Sequence, residues 1–353
     1  MTADLTRLEG LVESFPRQSV VVLGDFVADR FVFGEISRVS REAPVLILRH
    51  RETELLPGGG ANAVNNIAAL GAKVFPVCPV GDDAAGHALV EYFKNKKVDV
   101  SGIVKIRGWQ TPVKTRYLAG WSHTARQQVL RVDRLPSDPM PDSAHKSLWS
   151  HVERRLGRKN APVNAVLASD YGFNSVTPAL VRSIRRKGGP KLRITLDSRY
   201  ALNDYRGAGV TAATPNEAEL EALYHTPIGK DAAKLERLGV RTARSLGLEA
   251  LLVTRGKDGM VLFEKGKKSQ SIPIYGSEDA ADVTGAGDTV IAVFTLALAA
   301  GATYTEAAVL ANYAGGIVVM KRGTATVTRE ELREALLREA TGKESSLETK
   351  QRS

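Results

Sequence analysis

Short apolar runs recur along the chain, and each ends in a polar cluster. Val20-Val21-Val22-Leu23 stops at Gly24-Asp25, Val74 to Val80 at Gly81-Asp82-Asp83, and Ala161 to Ala168 at Ser169-Asp170-Tyr171-Gly172. Leu192 to Leu196 stops at Asp197-Ser198-Arg199, Val210 to Ala213 at Thr214-Pro215-Asn216, and Ala250 to Val253 at Thr254-Arg255-Gly256. Apolar runs this short, without polar alternation, are strands buried on both faces. Helical patterns lie between them at 63–70, 87–95, 142–157 and 177–187, with further helices at 4–15, 290–300, 307–320 and 328–340. Strand–helix–strand succession requires right-handed crossovers, hence an α/β fold with a mostly parallel central sheet flanked by helices. Ligands of such sheets gather at the carboxyl ends of the strands, where this chain places Asp, Ser and Asn.

Two segments interrupt that rhythm, about 31–50 and 107–133. They are rich in Val, Ile, Phe and Tyr, with strands expected at Pro44–Leu48, Thr111–Tyr117 and Gln127–Asp133. Together they make a small β-sheet that can lie over the strand ends as a lid. It offers the cations Lys114, Arg116 and Arg131. Those side chains either hold a charged ligand or form the polar face of a half-exposed sheet.

Two glycine clusters each lead into a helix. In Asp282-Val283-Thr284-Gly285-Ala286-Gly287-Asp288-Thr289, small residues run into an apolar helix closed at Gly301. A helix start carries unpaired N–H groups and the positive end of the dipole, so Gly285, Ala286 and Gly287 suit an anion approaching the backbone. Asp288 is useless as an anion ligand. It suits a base that takes the proton from a hydroxyl attacking a phosphoryl group. The alternative is a plain glycine-rich turn with a helix-favouring Asp. Upstream, Gly58-Gly59-Gly60-Ala61-Asn62 opens another helix, and Asn62 can both donate to and accept from vicinal hydroxyls. Asp25 and Asp29 follow the first strand, either as hydroxyl ligands or as turn and cap residues. Asn216 and Glu219 are spaced as a capping box.

The 353 residues, 43% of them hydrophobic, suffice for one large core over 1–340, followed by a polar tail at 341–353 expected to be disordered. The net charge of +10 is scattered and accompanied by 6% aromatics, which suits phosphorylated metabolites better than nucleic acid. A single cysteine, Cys78, excludes an intrachain disulfide. No apolar run approaches a membrane span, and the N-terminus has no signal-like apolar stretch, so a cytoplasmic protein is expected.

The octapeptide at 282–289 closely resembles the C-terminal signature of the PfkB/ribokinase family of carbohydrate kinases. Gly24–Phe31, Arg38–Val45 and Gly58–Asn62 resemble its D-glycero-β-D-manno-heptose 7-phosphate kinase branch. The chain departs from that branch at Arg41, usually proline, and after Asp197, where Ser198-Arg199 replaces Pro-Lys-Gly. The resemblance implies a ribokinase-like fold and transfer of the ATP γ-phosphoryl to a sugar's anomeric hydroxyl. By the same resemblance Asp288 is the base and the 285–288 amides are the anion hole. Asp29, Gly59 and Asn62 would hold the sugar, and Lys114, Arg116 and Arg131 its phosphate. Asn216 and Glu219 would organise Mg²⁺, Thr254, Gly256, Gly259 and Gly323 would lie on the nucleotide side, and a homodimer would form through the lid. Another small substrate of the same kinase family, or a non-catalytic binding protein on this fold, remains open at this point.

Overall fold

After α1 (Leu5–Ser14) the chain enters β1 (Ser19–Gly24), buried throughout, and turns at Asp25 into a long hairpin, β2 (Phe26–Val39) and β3 (Leu46–Gly59). It returns through α2 (Gly60–Ala69), β4 (Lys73–Gly81), α3 (Ala84–Asn95) and β5 (Ile103–Ile106). A second hairpin, β6 (Val113–Gly120) and β7 (Gln127–Arg134), precedes α4 (Asp142–Leu156). Alternation resumes with β8 (Ala165–Asp170), α5 (Pro178–Gly188), β9 (Arg193–Ser198), β10 (Ala212–Ala213), α6 (Glu217–Tyr224), α7 (Ala232–Leu246) and β11 (Ala250–Thr254). The chain continues through β12 (Met260–Glu264), β13 (Gln270–Ile272), α8 (Ala286–Ala299), α9 (Tyr304–Val319) and α10 (Arg329–Ala340). This computed structural model describes residues 4–121, 126–276, 281–321 and 323–340, so the 341–353 tail lies outside it.

The main sheet has nine strands in the order β13-β12-β11-β10-β9-β8-β1-β4-β5. Pairing is parallel from β5 to β11 and antiparallel at the β11–β12–β13 edge. β1 shows why its run is wholly apolar. Val20 and Val22 point into the core under α2 and α8, whereas Val21 and Leu23 point into the core under α4 and α5. Each such side chain contributes about 1.5–3 kcal/mol by leaving water. Helix α8 is buried from Asp288 to Leu298, and Thr295 Oγ1 meets Thr195 Oγ1 of β9 at 2.6 Å. A helix apolar all round is one held between layers.

The second sheet has the order β3-β2-β6-β7, with β2 and β6 parallel and the outer pairs antiparallel. Its first hairpin runs from Phe26↔Gly59 to Val39↔Leu46, so the strands extend beyond 31–50. The Pro57-Gly58-Gly59 stretch, loop-like in composition, is the end of β3, and α2 starts at Gly60 rather than Ala63. Glycine is required at that junction. Gly59 has φ +57°, and a Cβ on Gly60 would lie 3.2 Å from the Asp25 carbonyl and 3.3 Å from Gly24 Cα.

Two other elements differ from the sequence expectation. Helix α7 was not anticipated, because its buried stripe (Leu235, Leu238, Leu246) is interrupted by Gly239. That glycine admits the Phe263 ring, which would lie 2.3 Å from a Cβ there. The strand expected at 161–168 runs instead from Ala165 to Asp170. Asn164 is spent on Ser19: its Oδ1 accepts from the Ser19 amide at 2.9 Å and its own amide donates to the Ser19 carbonyl.

Candidate active site

The carboxyl ends of β1, β8 and β9, the N-termini of α2 and α8, and one face of the second sheet converge on Asp288. Gly285, the N-cap of α8, has φ +77°, and a Cβ there would sit 2.5 Å from Asn62 Nδ2. That contact explains the glycine: Asn62 donates to the Gly285 carbonyl (3.2 Å) and to Asp288 Oδ2 (3.1 Å). Asn62 is itself fixed by Asn66, whose Nδ2 donates to the Asn62 carbonyl and side-chain oxygen. The Ala286 amide turns back to the Val283 carbonyl at 3.3 Å. The following amides, Gly287 and Asp288, fall in the first turn, where no carbonyl lies one helical turn back. A Cβ on Gly287 would have nothing within 4 Å, so this corner is open to a ligand.

Asp288 is buried, and burial pushes its carboxyl up to about 6, against the hydrogen bonds from Tyr171 and Asn62 that hold it down. The Tyr171 hydroxyl donates to Asp288 Oδ1 at 2.6 Å. Sequence reasoning missed Tyr171 as a site residue. Its position at the polar end of the β8 run was the available signal. Burial first, and the Asp288 charge second, raise the Tyr171 phenol well above its ordinary value, so it is a hydrogen-bond donor at any physiological pH.

Asp25 and Asp29 separate in role. Both oxygens of Asp25 are consumed by the 171–175 loop: Oδ2 accepts from the Tyr171 and Phe173 amides, and Oδ1 from the Ser175 amide and hydroxyl. Asp25 therefore builds the loop that carries Tyr171 and is not free for a sugar. Asp29, buried on β2, pairs with Arg116 Nη1 of β6 at 2.7 Å. Gly58, on the neighbouring strand β3 and paired with Val27, leaves room for that carboxylate, since a Cβ there would lie 2.4 Å from Asp29 Oδ2. Gly59, the N-cap of α2, backs onto the Asp25 carbonyl and the Tyr171 ring.

The three cations of the second sheet are thus unequal. Arg116 is spent on Asp29, and Arg131 on Asp133 through Nε (2.7 Å) and Nη2 (2.5 Å). Lys114 has no hydrogen bond or salt bridge among the described residues; its ammonium stands 5.1 Å above the Tyr171 ring. Burial, more than the opposing pull of Asp29, lowers its pKa, with Arg199 and Arg131 adding to the lowering. Lys114, Asp29, Arg131, Arg199 and Asp288 therefore share one electrostatic site.

On the other flank, Asn216 and Glu219 do form the capping box, with Glu219 Oε2 accepting from the Asn216 amide (2.9 Å) and Asn216 Oδ1 from the Glu219 amide (2.8 Å). Asp197 accepts no hydrogen bond among the described residues. Burial, then Asp288, then Glu219 push its carboxyl well above the usual range, and burial raises Glu219 as well. A carboxyl raised by the charge of neighbouring carboxylates, as Asp197 is by Asp288 and Glu219, suits a cation held beside it. The described residues hold no cluster of three or more metal-ligating side chains, the usual situation for Mg²⁺, which keeps waters and substrate phosphates as ligands.

Beyond them, Asn216 bridges to Thr254 at the end of β11. Gly256 (φ +56°) and Gly259 (φ +75°) form the turn to β12, where a Cβ on Gly259 would collide with the Ile272 carbonyl at 2.2 Å. Gly323 (φ +71°) donates its amide to Asp282 Oδ2 at 3.0 Å, joining the α9–α10 connection to the loop before α8. Beside it, the buried Thr324 hydroxyl has no hydrogen-bond partner among the described residues.

Comparison with known proteins agrees with this arrangement. The profile of the pfkB family carbohydrate kinases matches residues 17–331. The "Bifunctional protein HldE" of Desulfatibacillum aliphaticivorans is 37% identical over 327 residues, covering 92% of this chain and 64% of that protein. Its namesake in Geobacter sulfurreducens is 37% identical over 318 residues, covering 89% and 62%. The chain thus spans a little under two thirds of the length of these relatives. Among solved structures, Arabidopsis thaliana ribokinase complexed with ribose and ATP superposes with a TM-score of 0.69 at 20% identity, covering 90% of this chain and 98% of that one. Escherichia coli phosphofructokinase-2 in complex with substrates and products gives 0.71 at 19% identity, covering 91% and 98%. The fold is ribokinase-like, and the chain belongs to the pfkB family of carbohydrate kinases, phosphotransferases acting on a sugar hydroxyl.

Proposed function

We propose that this kinase transfers the γ-phosphoryl of ATP to the anomeric hydroxyl of a sugar that already carries a phosphate, D-glycero-D-manno-heptose 7-phosphate, giving the 1,7-bisphosphate. The observation that carries the sugar-phosphate part is Lys114, a half-buried ammonium with no hydrogen bond or salt bridge among the described residues, directly over the residue that holds Asp288. Arg199, exposed at the end of β9 and paired with no carboxylate among the described residues, is the second cation available to the acceptor's phosphate. The motif resemblance to heptose 7-phosphate kinases and the HldE relatives support the same substrate.

In this mechanism Asp288, ionised above about pH 6, accepts the hydroxyl proton as the oxygen attacks. The amides of Gly287 and Asp288 in the 285–288 turn hold the charge on the transferring group, the Ala286 amide being turned back to Val283. Asn62 and the Asp29 oxygen that is not bonded to Arg116 orient the acceptor. ATP lies toward Asn216, Thr254, Gly256, Gly259 and Gly323. Asp197 and Glu219 are the carboxylates that would hold Mg²⁺, which neutralises phosphate charge when bound. The second sheet acts as a lid that excludes water, a competing acceptor. Val129, Leu130 and Val132 on the exposed strand β7 support a homodimer through this sheet. No helix among the described residues is long and apolar enough to cross a membrane, and a cytoplasmic site of action is part of the proposal.

The pairing of Arg116 with Asp29 and of Arg131 with Asp133 favours a second reading, a kinase of a less charged acceptor. Phosphoryl transfer from ATP to a panel of free and phosphorylated sugars decides between them. Selective use of the heptose 7-phosphate supports the first, equal use of a neutral sugar or nucleoside the second. Binding without transfer would leave a non-catalytic protein.

A further inference from the structure

Behind the site, one carboxylate gathers the roots of the second sheet. Asp83 is the N-cap of α3: its Oδ1 accepts from the Gly86 amide (2.8 Å) and from the Thr111 hydroxyl (2.8 Å). Its Oδ2 accepts from the Thr111 amide (3.1 Å) and from Arg134 Nη2 (3.3 Å). Thr111 lies just before β6 and Arg134 closes β7, and Val113↔Arg134 is the last pair of that hairpin. The fully buried Thr111 hydroxyl also accepts from the Gly81 amide (2.8 Å) at the end of β4. No slack exists here. A Cβ on Gly81 would meet the Trp109 carbonyl at 2.4 Å, and one on Gly86 the Gly81 carbonyl at 2.2 Å. Although burial pushes the Asp83 carboxyl up, these hydrogen bonds and Arg134 together hold it below the usual range, so it is ionised where the enzyme works.

We propose that Asp83 and Thr111 are positioning residues: they clamp the basal ends of β6 and β7 to α3 and the main sheet, and so fix Lys114 over Tyr171. Lys114 is only three residues from Thr111, so release of the clamp moves the ammonium without touching Asp288 or the nucleotide side. The consequence for substrate rests on the kinase reading; the consequence for the sheet does not.

The test uses the full chain with Thr111→Val, which keeps the shape and removes the hydroxyl, and Thr111→Ser, which restores it. One net hydrogen bond corresponds to roughly tenfold in an opening equilibrium. Amide hydrogen exchange over 113–120 and 127–134 is expected to rise roughly tenfold in Thr111→Val, with β8 unchanged and Thr111→Ser near wild type. The KM for the sugar phosphate is expected to rise by a similar factor, with kcat and the KM for ATP unchanged. Unchanged exchange in a folded Thr111→Val, or failure of Ser to restore it, overturns the clamp. If wild type phosphorylates no sugar, the kinase reading fails and exchange alone still decides the clamp. Should Thr111→Val not fold, Arg134→Ala, at an exposed position, must loosen 127–134 in the same assay or the proposal falls.

Discussion

The Tyr171 hydroxyl donates to Asp288 Oδ1 at 2.6 Å, and the same ring lies beneath the Lys114 ammonium. One side chain thus links the buried carboxylate on α8 to the cation on the second sheet. The hydrogen bond stabilises the ionised form of Asp288 against burial, which is what a base requires near neutral pH.

Removing that bond should therefore be visible in the pH profile. A hydrogen bond to a charged group contributes about 1.5–3 kcal/mol, or roughly one to two pKa units. In Tyr171→Phe the acid limb of kcat/KM, expected near pH 6 in wild type, should move upward by that amount. A limb that stays in place would show that Tyr171 does not tune the base.

The raised pKa of Asp288 also marks stability. Its folded value lies above the ordinary 3.8, so the folded state binds more protons between about pH 4 and 6. Stability from this group is fully present below pH 4 and is lost as pH rises through 6, by up to about 3 kcal/mol. The Tm difference between Asp288→Asn and wild type should grow in favour of the variant from pH 4 to 6.5 and then level off. A difference independent of pH would contradict the burial argument.

Asp29 and Arg116 make a nearly dry ion pair, with side-chain exposures of 6% and 11%. Removing one partner of such a pair costs roughly 3–5 kcal/mol, because the other charge stays buried and unmatched. Arg116→Ala should lower Tm by several degrees, and adding Asp29→Asn should recover much of the loss. If Arg116→Ala leaves Tm unchanged, the pair opens to solvent and Arg116 is available to substrate after all.

The parallel sheet could be read from the sequence because buried strands of this kind are continuous apolar runs, as in Val20–Leu23. The convergence of 58–62 with 285–288 was legible because a glycine beside a polar side chain signals close approach, and Asn62 and Gly285 do meet. What failed was the assignment of individual carboxylates and hydroxyls to their partners. Asp25 and Asp29 look alike along the chain, yet Asp25 is committed to a loop at 171–175 and Asp29 to an arginine on β6. Tyr171 carries no local sign that its hydroxyl reaches Asp288, 117 residues away. Helix α7 was hidden because Gly239 breaks its stripe to receive Phe263.

The central claim is that Asp288 takes the proton from the acceptor hydroxyl. Steady-state kinetics of Asp288→Asn, with ATP and the sugar acceptor varied separately, tests it most directly. Loss of a general base lowers rate by about 10²–10⁴-fold. The expected result is a fall in kcat of that size, with the KM for ATP within a few-fold of wild type. A kcat within a few-fold of wild type, in a variant that is folded and binds ATP, would remove Asp288 from the role.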